Sequence, residues 1–253
     1  DNDLYFRMVP SDVYQAQLLA LLAREAGHET AITVHNDTDQ YGETLISLFS
    51  SEFEDLGGRV LEQVAVPFSV TQGFATYIQP ILQLSPDVVL NVVLEADESA
   101  NFVNEALQAG VSSRFLFPDA SAGIPAFANN LVDAEAIADD LGTAPGFGLV
   151  TNPQMMFFDQ AYRQTFDTAP STFDVNGYDF VMIAALAIEH AGVNNNTVDP
   201  TPAMVKDSLR AVMNSPGEKV GPKDLVKALA LIRAGEAIDY SGSYGDNDWD
   251  ENG

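Results

Sequence analysis

Strand-like and helix-like segments alternate from residue 13 to residue 117, and this alternation constrains the fold more than any other feature of the sequence. Short runs rich in β-branched and aromatic residues predict strands at residues 31–35, 60–66, 88–94 and 115–117. Apolar residues at three-and-four spacing predict helices at residues 13–26, 45–56, 74–84 and 99–109. Because strands joined through helices pair in parallel, the pattern predicts an α/β fold with a doubly wound parallel sheet.

The pattern changes after about residue 148. Helical segments follow at residues 155–166, 174–191, 202–213 and 224–233, with one weak strand from residue 239 to residue 244. Because one weak strand makes no sheet, this part is predicted to be an incomplete, helix-rich second lobe. We therefore predict a complete α/β lobe at residues 10–148, with residues 1–9 and 149–253 forming a crossover and the partial second lobe. Residues 4–10 are predicted to form a strand that leads directly into the first helix.

Acidic residues far outnumber basic ones, with 37 Asp and Glu against 11 Lys and Arg and a formal net charge of −26. Such a polyanion repels phosphate backbones and anionic lipid surfaces, so no nucleic-acid partner is expected. Membrane insertion of this chain is not expected either, because no apolar run reaches the roughly 18–20 residues of a membrane span. The sequence has no cysteine, which excludes disulfides, a thiolate nucleophile and cysteine-ligated metal centres.

Common catalytic motifs are absent from the sequence. It contains no His-Glu-x-x-His zinc motif, no Gly-x-Ser-x-Gly nucleophile motif and no phosphate-binding P-loop. The alternating acids at residues 246–253 resemble a calcium loop, but they lack its glycine at the sixth position and its glutamate at the twelfth. We therefore predict no enzyme activity, no cofactor and no metal site.

Parallel α/β sheets bind ligands outside the carboxyl ends of their strands, which points to residues 35–42, 95–99 and 118–121. These segments carry six carboxylates, a tyrosine ring and several hydroxyls, but no lysine or arginine. Such a rim suits a ligand with an ammonium group, held by a carboxylate and an aromatic face. Some of these acids could instead cap helices, as Asp97 or Glu98 could. The candidate ligand-binding residues are Tyr41, Glu95, Asp119 and Ser121.

Several short motifs occur in an order that a known family shares. They lie at residues 6–12 (FRMVPSD), 33–37 (TVHND), 40–42 (QYG), 85–89 (SPDVV), 106–110 (ALQAG), 176–179 (NGYD), 228–242 and 248–253. The order resembles that of type I periplasmic binding proteins, and specifically of the extracellular ligand-binding receptors of branched-chain amino-acid ABC transporters. The resemblance covers essentially the whole chain, which corresponds to the later portion of such a protein.

The resemblance implies two α/β lobes that close on a ligand by a hinge motion, with the ligand-binding lobe at residues 10–148. By position, Tyr41 resembles the ring that lines the cleft, and Asp119 resembles the acid that pairs with an α-ammonium group. Glu95 stands about where an aromatic ring is common in the family. This departure allows a more polar or cationic ligand than a branched-chain amino acid.

The function implied by the resemblance is that of a solute-binding protein of an ABC importer, which captures an amino acid or a similar ammonium-bearing molecule in an interlobe cleft. A periplasmic or extracellular location, secreted or lipid-anchored in the full-length form, and an ABC permease partner are implied with it. One alternative is a ligand-sensing domain of the same fold in a signalling system. Another is a metal-dependent α/β enzyme. A homo-dimer is also expected, because a partial lobe exposes apolar helix faces.

Overall fold

Two compact units make up the chain. We name Pro10–Pro145 the sheet unit, and Asp1–Val9 together with Gly146–Gly253 the helical unit. The computed structural model describes residues 5–145, 152–171, 173–246 and 248–249. The boundaries of the predicted lobe, residues 10 and 148, stay a prediction, and residue 148 lies outside the described residues.

Helices and strands alternate throughout the sheet unit. In chain order its elements are α1 (Asp12–Glu25), β1 (Thr30–Asn36), α2 (Gln40–Asp55), β2 (Arg59–Val66), α3 (Ala75–Leu84), β3 (Val88–Val92), α4 (Ala96–Gln108), β4 (Arg114–Phe117), α5 (Pro125–Asn130) and β5 (Leu141–Gly142). The strands form one parallel sheet in the order β2-β1-β3-β4-β5. The predicted α/β fold with a parallel sheet and flanking helices is confirmed.

Apolar side chains are buried on both faces of this sheet. On one face, Val89 and Phe115 pack with side chains of α3 and α4. On the other face, Leu90 and Leu116 pack with α1 and α2, where Phe49 is fully buried. Because successive strand residues point to opposite faces, each strand contributes to both cores. Strands covered on both faces must be apolar nearly throughout, and every residue of β3 is buried.

Helix α2 begins five residues earlier than its apolar spacing predicts. The carboxylate of Asp39 accepts hydrogen bonds from the backbone amides of Tyr41 and Gly42, at 3.2 and 2.8 Å. An aspartate in this position satisfies amides that have no partner inside the helix, and so starts the helix there. Tyr41 therefore lies in the first turn of α2 rather than in the predicted strand-end loop.

Helix α4 also begins early, at Ala96 rather than at residue 99. Its first turn carries Asp97 and Glu98, whose negative charges interact favourably with the amino end of a helix. The elements α5 and β5 were not predicted from the sequence. Both are too short, at 6 and 2 residues, to show a periodic pattern.

The helical unit contains α6 (Pro153–Phe166), α7 (Asp174–Asn195), α8 (Pro202–Met213), β6 (Glu218–Val220), α9 (Leu225–Arg233) and β7 (Ile238–Tyr240). Its helix-rich character confirms the prediction. The weak predicted strand corresponds to β7, and β6 is an additional strand that pairs with it in parallel. None of the helices in the described ranges is both long and apolar enough to cross a membrane.

The described residues at the start of the chain do not form the predicted strand. Residues 5–9 are irregular, and their backbone carbonyls bond to side chains of the helical unit. The carbonyl of Met8 accepts a hydrogen bond from Asn176 Nδ2 at 2.7 Å. The carbonyl of Arg7 accepts one from Trp249 Nε1 at 2.9 Å. These bonds attach the segment to residues far away in the sequence.

A buried carboxylate joins α7 to β7 and to the residues that follow it. Asp179 accepts hydrogen bonds from the Tyr240 hydroxyl at 3.0 Å and from the backbone amide of Tyr244 at 2.8 Å. Burial raises the pKa of Asp179, and these hydrogen bonds counteract part of the rise. A Cβ atom at Gly242 would lie 2.5 Å from Asp179 Oδ2, so the close approach requires glycine.

A second carboxylate links the starts of β1 and β3. Asp87 Oδ2 accepts hydrogen bonds from the backbone amides of Glu29 and Thr30, at 2.9 and 2.8 Å, and from the Thr30 hydroxyl at 2.8 Å. Slight burial raises the pKa of Asp87, but the hydrogen bonds outweigh it and hold this pKa below its ordinary value. A lowered pKa stabilises the fold above the unfolded-state pKa, and this stabilisation is lost as the pH falls through the folded-state pKa.

We expect Asp87→Asn to lower the free energy of unfolding by about 1–2 kcal/mol at pH 7. The difference from wild type should shrink as the pH falls below about 4, where Asp87 of the unfolded chain begins to bind a proton, and it should be lost as the pH falls through the lower folded-state pKa. Urea titrations between pH 7 and pH 2 measure both effects. Asp55→Asn, which removes an exposed acid at the end of α2, is the control. A difference that does not change with pH would contradict this role of Asp87.

Candidate functional site

The carboxyl ends of the parallel strands meet at one edge of the sheet unit. The order β2-β1-β3 means that the chain changes its direction of travel across the sheet after β2, with β1 and β3 as neighbours. In folds of this type ligands bind outside the carboxyl ends of the strands at such a switch point. Asn36 joins the two strand ends there, because its Oδ1 accepts a hydrogen bond from the backbone amide of Leu94 at 2.8 Å.

Tyr41 and Asp119, which were predicted from different segments, are in direct contact. The Tyr41 hydroxyl donates a hydrogen bond to Asp119 Oδ1 at 2.6 Å. Gln15 Nε2 donates to the same oxygen at 2.9 Å and to Thr143 Oγ1 at 3.3 Å. We call Gln15, Tyr41, Asp119 and Thr143 the Asp119 cluster. It joins α1, α2, the loop after β4 and the residue after β5.

Two members of the Asp119 cluster, Gln15 and Thr143, were missed from the sequence. Thr143 follows a strand of two residues that carries no sequence signal. Gln15 lies in a helix before the first strand, so it belongs to no strand-end loop. A helix that leads into a parallel strand starts at the strand's carboxyl edge, and this geometric rule was the available signal for Gln15.

The hydroxyl of Tyr41 remains a proton donor. Burial raises the pKa of Tyr41 strongly, and the neighbouring carboxylate of Asp119 raises it further. Both effects disfavour the phenolate, because a second negative charge would have to lie beside the first in a poorly solvated position. The phenol is therefore protonated at any physiological pH and holds Asp119 Oδ1 in place.

Basic side chains of the sheet unit are confined to the opposite edge. Between residues 10 and 145 the sequence has three arginines and no lysine. Arg59 and Arg114 are the first residues of β2 and β4, and Arg24 lies near the end of α1, which leads into β1. Arg114 Nε pairs with Asp140 at 2.8 Å at that edge. In the described part of the sheet unit, the carboxyl edge therefore has acidic groups and no lysine or arginine to neutralise them, and burial lowers the pKa of His35, which lies there at the end of β1.

Ser121 and Glu95 lie in different surroundings from the Asp119 cluster. Ser121 is buried, and its hydroxyl is 2.7 Å from the Ser99 hydroxyl. Ser99 Oγ also accepts a hydrogen bond from Asn91 Nδ2 at 2.9 Å. Glu95 is exposed just before α4. Ligand contact by Ser121 and Glu95 stays a prediction.

Carboxylates near the start of α4 affect one another. Partial burial raises the pKa of Glu98, and the negative charges of Glu95 and Asp97 raise it further. In the described ranges, no three His, Asp or Glu side chains are grouped in a way that could hold a metal ion. The site therefore consists of carboxylates and neutral hydrogen-bonding groups.

A family model described as "Periplasmic binding protein" matches residues 2–252. The chain belongs to the periplasmic binding protein family. The predicted family is thereby confirmed, and the structural similarities agree with it. The leucine-binding protein of Thermotoga maritima has a TM-score of 0.74 and 22% identity, over 98% of this chain and 61% of that chain. An ABC transporter solute-binding protein of R. palustris, in complex with benzoate, has a TM-score of 0.67 and 16% identity, over 95% and 59%.

One curated relative is similar over a shorter segment. The chemotactic signal transduction system substrate-binding protein BasB of Halobacterium salinarum is 32% identical over 87 residues. The match covers 34% of this periplasmic binding protein and 20% of BasB. The chain thus spans about three fifths of the two matched structures and a fifth of this relative.

The buried hydroxyl of Ser99 should be important for stability. We expect Ser99→Ala to lower the free energy of unfolding by about 1–3 kcal/mol, because Asn91 and Ser121 lose a buried hydrogen-bonding partner. Thermal and urea unfolding measure this loss. Ser69→Ala, at an exposed position, is the matched control and should change stability by less than about 0.5 kcal/mol. Equal effects of the two substitutions would argue against the buried network.

Proposed function

We propose that this chain is part of a solute-binding protein of an ABC importer, which captures an amino acid or a similar ammonium-bearing molecule in an interlobe cleft without catalysis. The observation that carries the proposal is the Asp119 carboxylate, which lies at the carboxyl edge of the sheet and, among the described residues, receives hydrogen bonds from neutral donors only. A ligand ammonium group would supply the positive charge that this edge lacks. Membership of the periplasmic binding protein family supports the same function.

Four residues are proposed to form the ligand-binding surface of the sheet unit. Asp119 pairs with the ammonium group, and the ring of Tyr41 lines the cleft while its hydroxyl fixes the carboxylate. Glu95 provides a polar wall that accepts a more polar or cationic side chain. Ser121 supports the loop that carries Asp119 from beneath the surface, through the contact of its hydroxyl with Ser99.

The location and the transport partner follow from the same proposal. The similar structures include an ABC transporter solute-binding protein, and such proteins deliver their ligand to a permease outside the cytoplasm. We therefore propose a periplasmic or extracellular location, by secretion or a lipid anchor of the full-length protein, and an ABC permease as partner.

Asp119→Ala tests the proposed ligand contact. Calorimetric titration with L-leucine, L-arginine and benzoate identifies which of the three binds to wild type. For either amino acid we expect a loss of affinity of about 30-fold or more in the variant, because removing one partner of a charge-assisted hydrogen bond costs roughly 2–4 kcal/mol. Asp139→Ala removes the same charge from a side chain that is 94% exposed at the opposite edge, and should leave affinity unchanged. Unchanged amino-acid affinity in Asp119→Ala would refute the assignment.

A ligand-sensing domain in a signalling system is the second candidate. The name of BasB, a substrate-binding protein of a chemotactic signal transduction system, supports it. The two functions share the ligand site and differ in the membrane partner. Ligand-dependent stimulation of a reconstituted ABC permease would support transport, whereas ligand-dependent binding to a chemotaxis transducer alone would support sensing.

A second copy of this chain is proposed to pack on helix α7. Between residues 180 and 188 this helix is apolar on all sides, as is typical of a helix that is covered all round. One face is buried in the helical unit, with Ile183 and Leu186 in its core. The opposite face leaves Phe180, Val181 and Ile188 exposed by 46, 65 and 49%. Two copies related by a two-fold axis would cover this face in the same way on both partners.

Substitution of a large residue on this face should disrupt the homo-dimer. We expect Phe180→Asp to convert the chain from dimer to monomer at micromolar concentration, because a charge cannot be buried in an apolar interface without a partner. Multi-angle light scattering measures the mass. Val226→Asp, at a position of α9 that is 83% exposed, is the control and should leave the dimer intact. A monomeric wild type would refute the pairing.

A further inference from the structure

Gln15 contacts every other member of the Asp119 cluster. Its Nε2 is 2.9 Å from Asp119 Oδ1 and 3.3 Å from Thr143 Oγ1, and its Oε1 is 3.1 Å from the Tyr41 hydroxyl. The residue lies in the first half of α1, ahead of the first strand of the sheet. Gln15 therefore connects α1, the first helix of the sheet unit, to the loop after β4.

The chemistry of the neighbours fixes the orientation of the Gln15 amide. A carboxylate accepts hydrogen bonds and cannot donate one, so the NH₂ group of Gln15 must face Asp119 and the carbonyl must face away. The Tyr41 hydroxyl has a single proton, and it lies on the shorter contact, the 2.6 Å bond to Asp119. Oε1 of Gln15 accepts at most the longer contact from the Tyr41 hydroxyl, at 3.1 Å, and keeps a second lone pair for another donor.

Gln15 and Tyr41 stabilise the Asp119 carboxylate without neutralising it. Both are uncharged donors, and both bond to Oδ1. The described residues provide no hydrogen bond to Oδ2. A basic residue in place of Gln15 would pair with Asp119 inside the protein and compete with a cationic ligand. The neutral amide instead leaves a full negative charge on a carboxylate whose position is fixed.

We propose that Gln15 is a selectivity-determining residue of the site. Its amide occupies the space beside Asp119 and bonds to one carboxylate oxygen without neutralising the negative charge, which remains available to pair with a ligand ammonium group. The remaining lone pair of its carbonyl oxygen gives that ammonium a second, neutral acceptor. The ligand class is a primary ammonium compound, in preference to a neutral or anionic molecule of the same shape. This inference rests on the proposed binding function and adds to it a residue outside the strand-end loops.

The substitution Gln15→Lys tests the proposal directly, because the lysine ammonium would take the place of the ligand ammonium. We expect the affinity for L-leucine to fall by about 100-fold or more, since the internal group competes at high effective concentration. Affinity for benzoate, which has no ammonium group, should be unchanged or higher. Gln15→Met, which removes the hydrogen bonds but keeps the length, should weaken L-leucine by only about 3- to 10-fold.

Gln17→Lys is the matched control. Gln17 lies two residues further along α1, is exposed, and its amide donates to a carboxylate, Glu52, at 3.3 Å. This variant adds the same charge to the same helix and should leave affinity for both probes unchanged. If Gln15→Lys and Gln15→Met weaken L-leucine and benzoate to the same extent, Gln15 has a structural role only and the proposal is wrong.

A measurement without ligand separates this proposal from the proposed function. If wild type binds neither L-leucine nor L-arginine, the proposed function fails. Melting temperatures still test whether a cation at position 15 contacts Asp119. We compare the effect of Gln15→Lys on the melting temperature in the wild-type background and in the Asp119→Asn background. The effect should be more favourable by about 2 °C in the wild-type background, because the new ion pair exists only when both charges are present. Absence of this coupling would show that a cation at position 15 does not reach Asp119, and would refute the inference.

Discussion

Burial of both faces of the parallel sheet is the constraint on which the sheet unit depends. It requires strands that are apolar almost throughout, as in β3, and it leaves the strand ends as the places where polar groups can lie without loss of stability. Asn91 is an exception within β3, and its amide donates to the hydroxyl of Ser99. The same hydroxyl contacts Ser121, so the polar residue inside the sheet is linked to the loop that carries Asp119.

The Asp119 cluster is the group of hydrogen-bonded side chains that holds a carboxylate at the carboxyl edge of the sheet. Two neutral donors, Gln15 and Tyr41, hold the carboxylate of Asp119, and Thr143 in turn accepts a hydrogen bond from Gln15. The three arginines of the sheet unit lie at the other edge, so the carboxylate has a fixed position and an uncompensated charge. In the proposed function, this combination pre-organises the site for an ammonium group, because the carboxylate is already held in place by its donors.

The site residues that could be predicted are those that follow a strand recognisable from the neighbouring sequence. Tyr41 and Asp119 could be selected because each follows a recognisable strand, and strand ends share an edge in a parallel sheet. Gln15 could not be selected in this way, since α1 precedes every strand. Thr143 follows a strand too short to detect. Capping also changed the boundaries: Asp39 starts α2 early and places Tyr41 on a helix, an effect of one side chain that apolar spacing does not reveal.

Apolar periodicity by itself determined the fold class of this protein, because a chain that alternates buried strands with amphipathic helices has few ways to cover its apolar surfaces. The residue types at the strand ends, also read from the sequence alone, determined the negative charge of those segments. Tertiary structure alone decided the strand order, the pairing of β6 with β7 and the contact between Gln15 and Asp119. These features join residues far apart in the chain, and their free energy comes from packing and hydrogen bonds that form only once the whole unit is folded.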